Sequence, residues 1–283
     1  MSGPQWARTK HEESTAGGFL KWGCLVALGL PIFLMAMGLL NGGLVAAGSA
    51  LRSLRPAAQI EREFDQLAEA KTDDGYALKA FKDNFPKDYA ALKAKAVKAY
   101  RDGVSEQEAE RIGFDHMRSF ILDHAEDTAA APMADLVSML RSQRDVLFSL
   151  ERTSVQHCAD FAMRGLSLGA QLDPESNALV ARATIIQLQT TRAGIDKPTR
   201  WAKITDRDGP ALGAALRRTG ASEVLINKIA NGLDFAPAAD QCAGSVALMR
   251  AIASMPDEQA ARWMSMMLLE SAKVLEERPA GSR

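Results

Sequence analysis

The sequence predicts an all-α protein held behind a single N-terminal membrane-spanning helix, and three observations lead there. Trp22–Leu40 runs nineteen residues without a charge. At about 1.5 Å per helical residue it reaches about 28 Å, close to the roughly 30 Å hydrocarbon core of a bilayer. Aromatic residues make up 6% of the chain while alanine is plentiful, a balance that favours helix over sheet. Beyond the apolar run no stretch alternates with period two, whereas apolar residues recur at helical spacing.

Composition narrows the rest. Of 283 residues, 24% are charged and 47% apolar, as in an ordinary folded domain, and the formal charge is −1. That balance argues against a dedicated nucleic-acid binder, which carries a basic excess. Residues 1–20 form a polar tail and 21–50 the anchor with its interfacial exit. Residues 51–277 suffice for one sizeable core or two small ones, and 278–283 fray.

Lys21 and Trp22 suit the membrane–water boundary. Pro31 kinks the span, Leu40 closes it, and Asn41-Gly42-Gly43 marks the exit. A cleavable signal peptide would use the small residues at Ala47–Ala50. The long polar leader and the length of the apolar run favour a retained anchor instead. Arg8, Lys10 and Lys21 before the span nearly balance Arg52, Arg55 and Arg62 after it. Long C-terminal domains cross regardless of charge, so the expected arrangement is a cytoplasmic N-terminus with the domain outside.

The helices follow in order. Ile60, Phe64 and Leu67 share a face until Asp73-Asp74-Gly75 interrupts. After Pro86, the positions Tyr89, Leu92, Ala96 and Tyr100 align, and Asp102-Gly103 makes a turn. Ser105-Glu106-Gln107-Glu108 is a capping box opening a helix expected to reach about Thr128. Pro132 begins another, with Met133, Leu136, Val137, Leu140, Leu147 and Phe148 expected on its buried stripe, and a short helix spans Val155–Met163. Asp173-Pro174-Glu175 pairs an N-cap with a first-turn proline. Gly194, Pro198 and Asp206–Pro210 break the chain and mark a subdomain seam between 194 and 210. Helices follow at Ala211–Thr219, Ser222–Ala230 and Pro237–Ala253. The last begins at Pro256, with Ala260, Trp263, Met264, Met267, Leu268, Val274 and Leu275 in one stripe.

Chemistry-bearing patterns are few. Cys158 and Cys242 are the only cysteines outside the span, and in an oxidising compartment they would form a disulfide. Two buried thiols are the alternative. Gly165-Leu166-Ser167-Leu168-Gly169 matches GxSxG, but helical spacing precedes it, where a nucleophile elbow needs a strand. All four histidines also come before Ser167, against the hydrolase order. His116, Asp123 and His124 are the candidate metal ligands. Positions 116 and 124 differ by about 80° around a helix and lack the four-residue zinc spacing, so a solvated acidic face competes with that reading.

Charge falls in blocks: Lys79 to Arg101 is basic, Glu106 to Asp127 acidic. An antiparallel hairpin about Asp102-Gly103 would set them side by side. The basic block would otherwise lean on anionic headgroups. Met264, Met266 and Met267 either pack the core or line an adaptable groove.

No catalytic residue set, cofactor or family signature emerges. The expected function is therefore a membrane-anchored, non-catalytic helical interaction or scaffold domain of an envelope assembly, periplasmic, with the bilayer and another membrane or envelope protein as partners. One alternative is an anchored hydrolase of cell-wall or lipid material using Glu175 or Glu270 as acid, for which Trp201 and Trp263 are the only sugar platforms outside the N-terminal region. The other is a metal-responsive sensor.

Overall fold

The computed structural model describes residues 57–163, 165–166, 170–205 and 207–277. Trp22–Leu40 with Pro31, and the segment 278–283, lie outside them. Every regular element among the described residues is a helix. None of these helices is long and apolar enough to cross a membrane.

Four helices come first: α1 Ala57–Ala68, α2 Asp73–Asn84, α3 Pro86–Arg101 and α4 Glu106–Asp123, followed by the short α5 Ala125–Ala129. Their apolar faces meet in an aromatic cluster. Phe81 lies 5.1 Å from Phe120 and Phe85 lies 4.7 Å from it, ring centre to ring centre and edge to face. Phe64 and Tyr89 are 5.6 Å apart. Edge-to-face pairs add about 0.5–1.5 kcal/mol each to the area they bury. The Tyr89 hydroxyl donates to Asp65 at 3.0 Å and Lys93 Nζ donates at 3.2 Å, which ties α3 to α1. Burial pushes the Asp65 carboxyl up, but these two donors outweigh it and hold the group below its ordinary value.

The remaining helices are α6 Met133–Thr153, α7 Val155–Met163, α8 Pro174–Asp196, α9 Asp208–Arg218, α10 Glu223–Asn231, α11 Ala238–Ala253 and α12 Asp257–Glu277. They enclose a second cluster of leucine, alanine and methionine around Trp263, Leu140 and Met249. Helix α8 belongs to both clusters: Val180 and Ala183 pack into the second, Ala181 and Leu188 into the first. It runs antiparallel to α6. The Ser149 and Ser176 hydroxyls meet at 2.9 Å near one end, and Thr190 donates to the Asp135 carbonyl at 3.4 Å near the other.

Local chemistry sets the helix ends. Ser105 accepts from Glu108 N at 3.2 Å, Asp173 from Ser176 N at 3.0 Å and Ser222 from Leu225 N at 3.2 Å. Each satisfies an amide the first turn leaves open. The Glu108 carboxylate does not complete its box by reaching back; it takes Arg111 at 2.6 Å.

Four expectations are corrected. Met133, expected on the buried stripe of α6, is 42% exposed at the first position of that helix, ahead of the turns that face the core. Asp73-Asp74-Gly75 does not interrupt a helix but opens α2. Thr72 accepts from Gly75 N at 3.1 Å, and both aspartates sit in the first turn, where the helix dipole favours them. A Cβ on Gly75 would overlap the carbonyl oxygen of Ala70, so glycine is there for close approach. Gly194 likewise does not end its helix: it lies inside α8, where a Cβ would overlap the Asp127 carbonyl oxygen. The helix from Ser105 stops at Asp123 rather than Thr128. His124 turns out of the helical region (φ −113°, ψ 12°) and its ring rests against Phe120 and Phe85 at 4.8 and 5.4 Å.

The stretch after α8 folds back onto the α5–α6 turn. Thr199 N donates to Ala130 O at 2.6 Å and Trp201 Nε1 to Ala131 O at 3.0 Å. Asp208, opening α9, accepts from the Thr205 amide at 2.7 Å and from Arg262 of α12, also at 2.7 Å. These side chains are 11% and 17% exposed. Burial raises the Asp208 pKa, yet Thr205 and Arg262 together bring it below the ordinary value.

Candidate functional site

The sequence-derived candidates are dispersed. His116 is buried between α3 and α4, with Nε2 3.1 Å from the Asp88 carbonyl oxygen and Nδ1 3.2 Å from Lys95 Nζ. A carbonyl only accepts and an ammonium only donates, so the ring is neutral with its proton on Nε2. Burial first, and the Lys95 charge second, lower the imidazole below its ordinary value of 6.5. His124 instead turns to Asp127, 2.9 Å from its Nδ1, and Asp123 is exposed. His116, Asp123 and His124 therefore form no ligand set. Among the described residues no group of three or more His, Cys, Asp or Glu side chains is placed to hold a metal.

The hydrolase candidates are likewise separate. Glu175 sits in an exposed pair with Arg152 at 2.9 Å and Glu270 in one with Lys273 at 2.7 Å. Trp263 is 2% exposed in the core and offers no sugar platform, and Trp201 is partly buried against the second cluster with its N–H given to the α5–α6 turn. The GxSxG serine, Ser167, lies outside the described residues, and helix α7 leads into that segment, as the spacing indicates. Met264 and Met267 are buried, and Met266 packs against the same cluster.

The expected α3–α4 hairpin about Asp102-Gly103 is present, but among the described side chains the ion pairs of its lysines lie elsewhere than across it. Lys93 pairs with Asp65 of α1, Lys82 with Glu69, and Lys79 and Lys98 with acids four residues ahead in sequence, Asp83 and Asp102. Lys95 crosses to α4 and meets His116, not an acid. A lysine stem is long enough to find the nearest acid in its own helix, and the i,i+4 spacing supplies one.

Cys158 of α7 and Cys242 of α11 are joined, Cα to Cα 5.3 Å, across 84 residues of sequence. Both are buried, and the bond fastens two helices of the second cluster.

Among the described residues, α8 helps to line a smaller and a larger cavity. The smaller, about 20 Å³, sits where α4, α5, α8 and α12 converge, lined by His124, Thr128, Thr191 and Ser271 among others. It has room for a single water. The larger, about 290 Å³, opens between α6 and α8. Ala134, Ser138 and Ser142, one helical turn apart on α6, leave a depression because their side chains are small. Leu179 and Ile186 wall the α8 side, and Arg141, Arg144, Asp145 and Arg182 carry its charge. Sequence reading missed this cleft. Its arginines come from two helices, and each looks like one more solvated charge until the antiparallel α6–α8 register is known.

Compared with known protein families, curated proteins and solved structures, the chain matches none.

Proposed function

We propose that this chain is a membrane-anchored, non-catalytic interaction module. Trp22–Leu40 spans the bilayer, the N-terminus is cytoplasmic, and the helical body sits outside, in an oxidising envelope compartment such as a periplasm. The observation that carries this reading is the Cys158–Cys242 bond, because disulfides persist in exported proteins and are rare where thiols are kept reduced. The uncharged run supplies the tether. Phe235, 97% exposed between α10 and α11, offers a ring to a protein partner.

The test counts thiols. Cells are quenched in acid, the protein is unfolded in detergent, and a mass-tagged maleimide is added with or without reductant. One tag before reduction, on Cys24, and three after it is the expected pattern. Three tags without reductant, or release of the full chain by alkaline carbonate, would falsify the reading. A crosslinked partner recovered from detergent should be lost in Phe235→Ser, and recovery unchanged by that substitution removes Phe235 from the contact.

A further inference from the structure

We infer that the α6–α8 cleft is a binding site for a phosphate group. Its volume, about 290 Å³, is at the lower edge of small-ligand sites, which run from about 300 Å³ upward. Three arginines against one aspartate leave two positive charges in the lining, the charge of a phosphate dianion reversed. All three cations are arginines, whose planar fork of donors fits a tetrahedral oxyanion with paired hydrogen bonds.

The donors are available. Arg182 has no partner among the described residues, and its side chain is exposed at the cleft. Arg141 meets Asp257 at 3.0 Å, but both members are about half exposed, and such pairs exchange readily with a competing anion. Arg144 is held by its neighbour Asp145 at 2.7 Å and lies 5.8 Å from the Phe148 ring centre, which fixes its plane. Ser142 gives its proton to the Met139 carbonyl at 2.8 Å, whereas the exposed Ser138 hydroxyl has no partner among the described residues and can donate to the ligand. Leu179 and Ile186 would meet an apolar portion of the ligand. That chemistry is shared by a free phosphate and by the headgroup of an anionic lipid. The inference stands on the cleft alone and needs neither the anchor nor the disulfide.

The test is titration calorimetry on the full chain in non-ionic detergent at fixed ionic strength. The probes are inorganic phosphate and glycerophosphoglycerol, the water-soluble headgroup of an anionic lipid. Saturable binding is expected, weakened about tenfold or more in Arg182→Gln, since a charge-assisted contact is lost. Ser138→Leu, which fills the depression, should weaken it comparably. Arg218→Gln, outside the cleft, should leave it unchanged. Both cleft substitutions are at exposed positions, and an unaltered melting curve shows that each variant is folded. Tighter binding of the headgroup supports a lipid source, and tighter binding of inorganic phosphate supports a free one. The inference is overturned by the absence of saturable binding, by affinity indifferent to Arg182→Gln, or by an equal loss in Arg218→Gln.

Discussion

The two apolar clusters share α8 but are secured by different means. The first, around α1–α4, has no disulfide among the described residues. It depends on aromatic edges meeting faces, with Phe120 touching both Phe81 and Phe85, and on Asp65 gathering Tyr89 and Lys93. The second is aliphatic, packed from leucine, alanine and methionine, and crosslinked between α7 and α11. Ring contacts favour particular angles and act only in the folded state. A crosslink is indifferent to packing detail and acts chiefly by restricting the unfolded chain. The first cluster should therefore respond to the loss of one side chain, and the second to the loss of one covalent bond.

The largest effect should come from the bond. Closing a loop of this length stabilises by about 4 kcal/mol through unfolded-chain entropy. Cys158→Ala with Cys242→Ala should therefore shift urea unfolding by about that much. The three tyrosines all lie in α2 and α3, while Trp201 and Trp263 lie beside the second cluster. In a Trp6→Phe, Trp22→Phe background, tryptophan fluorescence and tyrosine near-ultraviolet dichroism thus follow different clusters. The tryptophan transition should move further than the tyrosine one. Equal shifts would mean that α8 couples the clusters into one cooperative unit, and the contrast would fail.

Phe81→Ala is the converse experiment. The side chain is buried against three rings, and its removal should cost about 3–4 kcal/mol through lost transfer energy and a residual cavity. Here the tyrosine signal should move first. A loss below about 1 kcal/mol would show the site collapsing, and aromatic packing would then not be what secures this cluster.

A smaller effect, of opposite sign, belongs to the second cluster. Gln143 is fully buried on the face of α6 away from the cleft, with neither amide atom paired among the described residues. Gln143→Met keeps the volume and removes two unpaired polar atoms, so it should stabilise by about 1 kcal/mol. A destabilised variant would show that the amide is hydrogen-bonded in solution.

Much of this architecture is legible in the sequence because it is local. Ser105, Asp173 and Ser222 announce helix starts through their own side chains, and Pro256 and the Trp263 stripe define α12 by periodicity alone. What is not legible depends on partners far along the chain. Gly75 and Gly194 read as breakers, since nothing in their neighbourhood says that another backbone lies against them. His124 ends a helix where Phe85, from the link between α2 and α3, offers its ring a resting place. The arginine cleft was invisible for the same reason: Arg141 and Arg182 become neighbours only when α6 and α8 pack antiparallel. The lysine-rich stretch misled in the other direction: Lys79 and Lys98 take acids four residues on, and Lys82 and Lys93 reach back to Glu69 and Asp65 rather than across to α4.

The smallest predicted effect sharpens the contrast by pH and belongs to the first cluster alone. His116 is neutral in the fold, its Nε2–H on the Asp88 carbonyl and its Nδ1 facing Lys95, with Asp123 the nearby acid on its own helix. Its folded pKa lies below 6.5, so as pH falls through 6.5 the unfolded chain takes up this proton before the folded one does. The stability tied to this group is complete above that pH and declines as pH drops toward the folded value. His116→Gln keeps a donor and an acceptor in the pocket but does not titrate. Tyrosine-monitored urea midpoints, measured as wild type minus variant, should be flat above pH 6.5 and fall below it. A difference that stays flat, or rises as the medium is acidified, would mean the buried ring accepts a proton in place, with Lys95 displaced and the α3–α4 contact remade around an imidazolium.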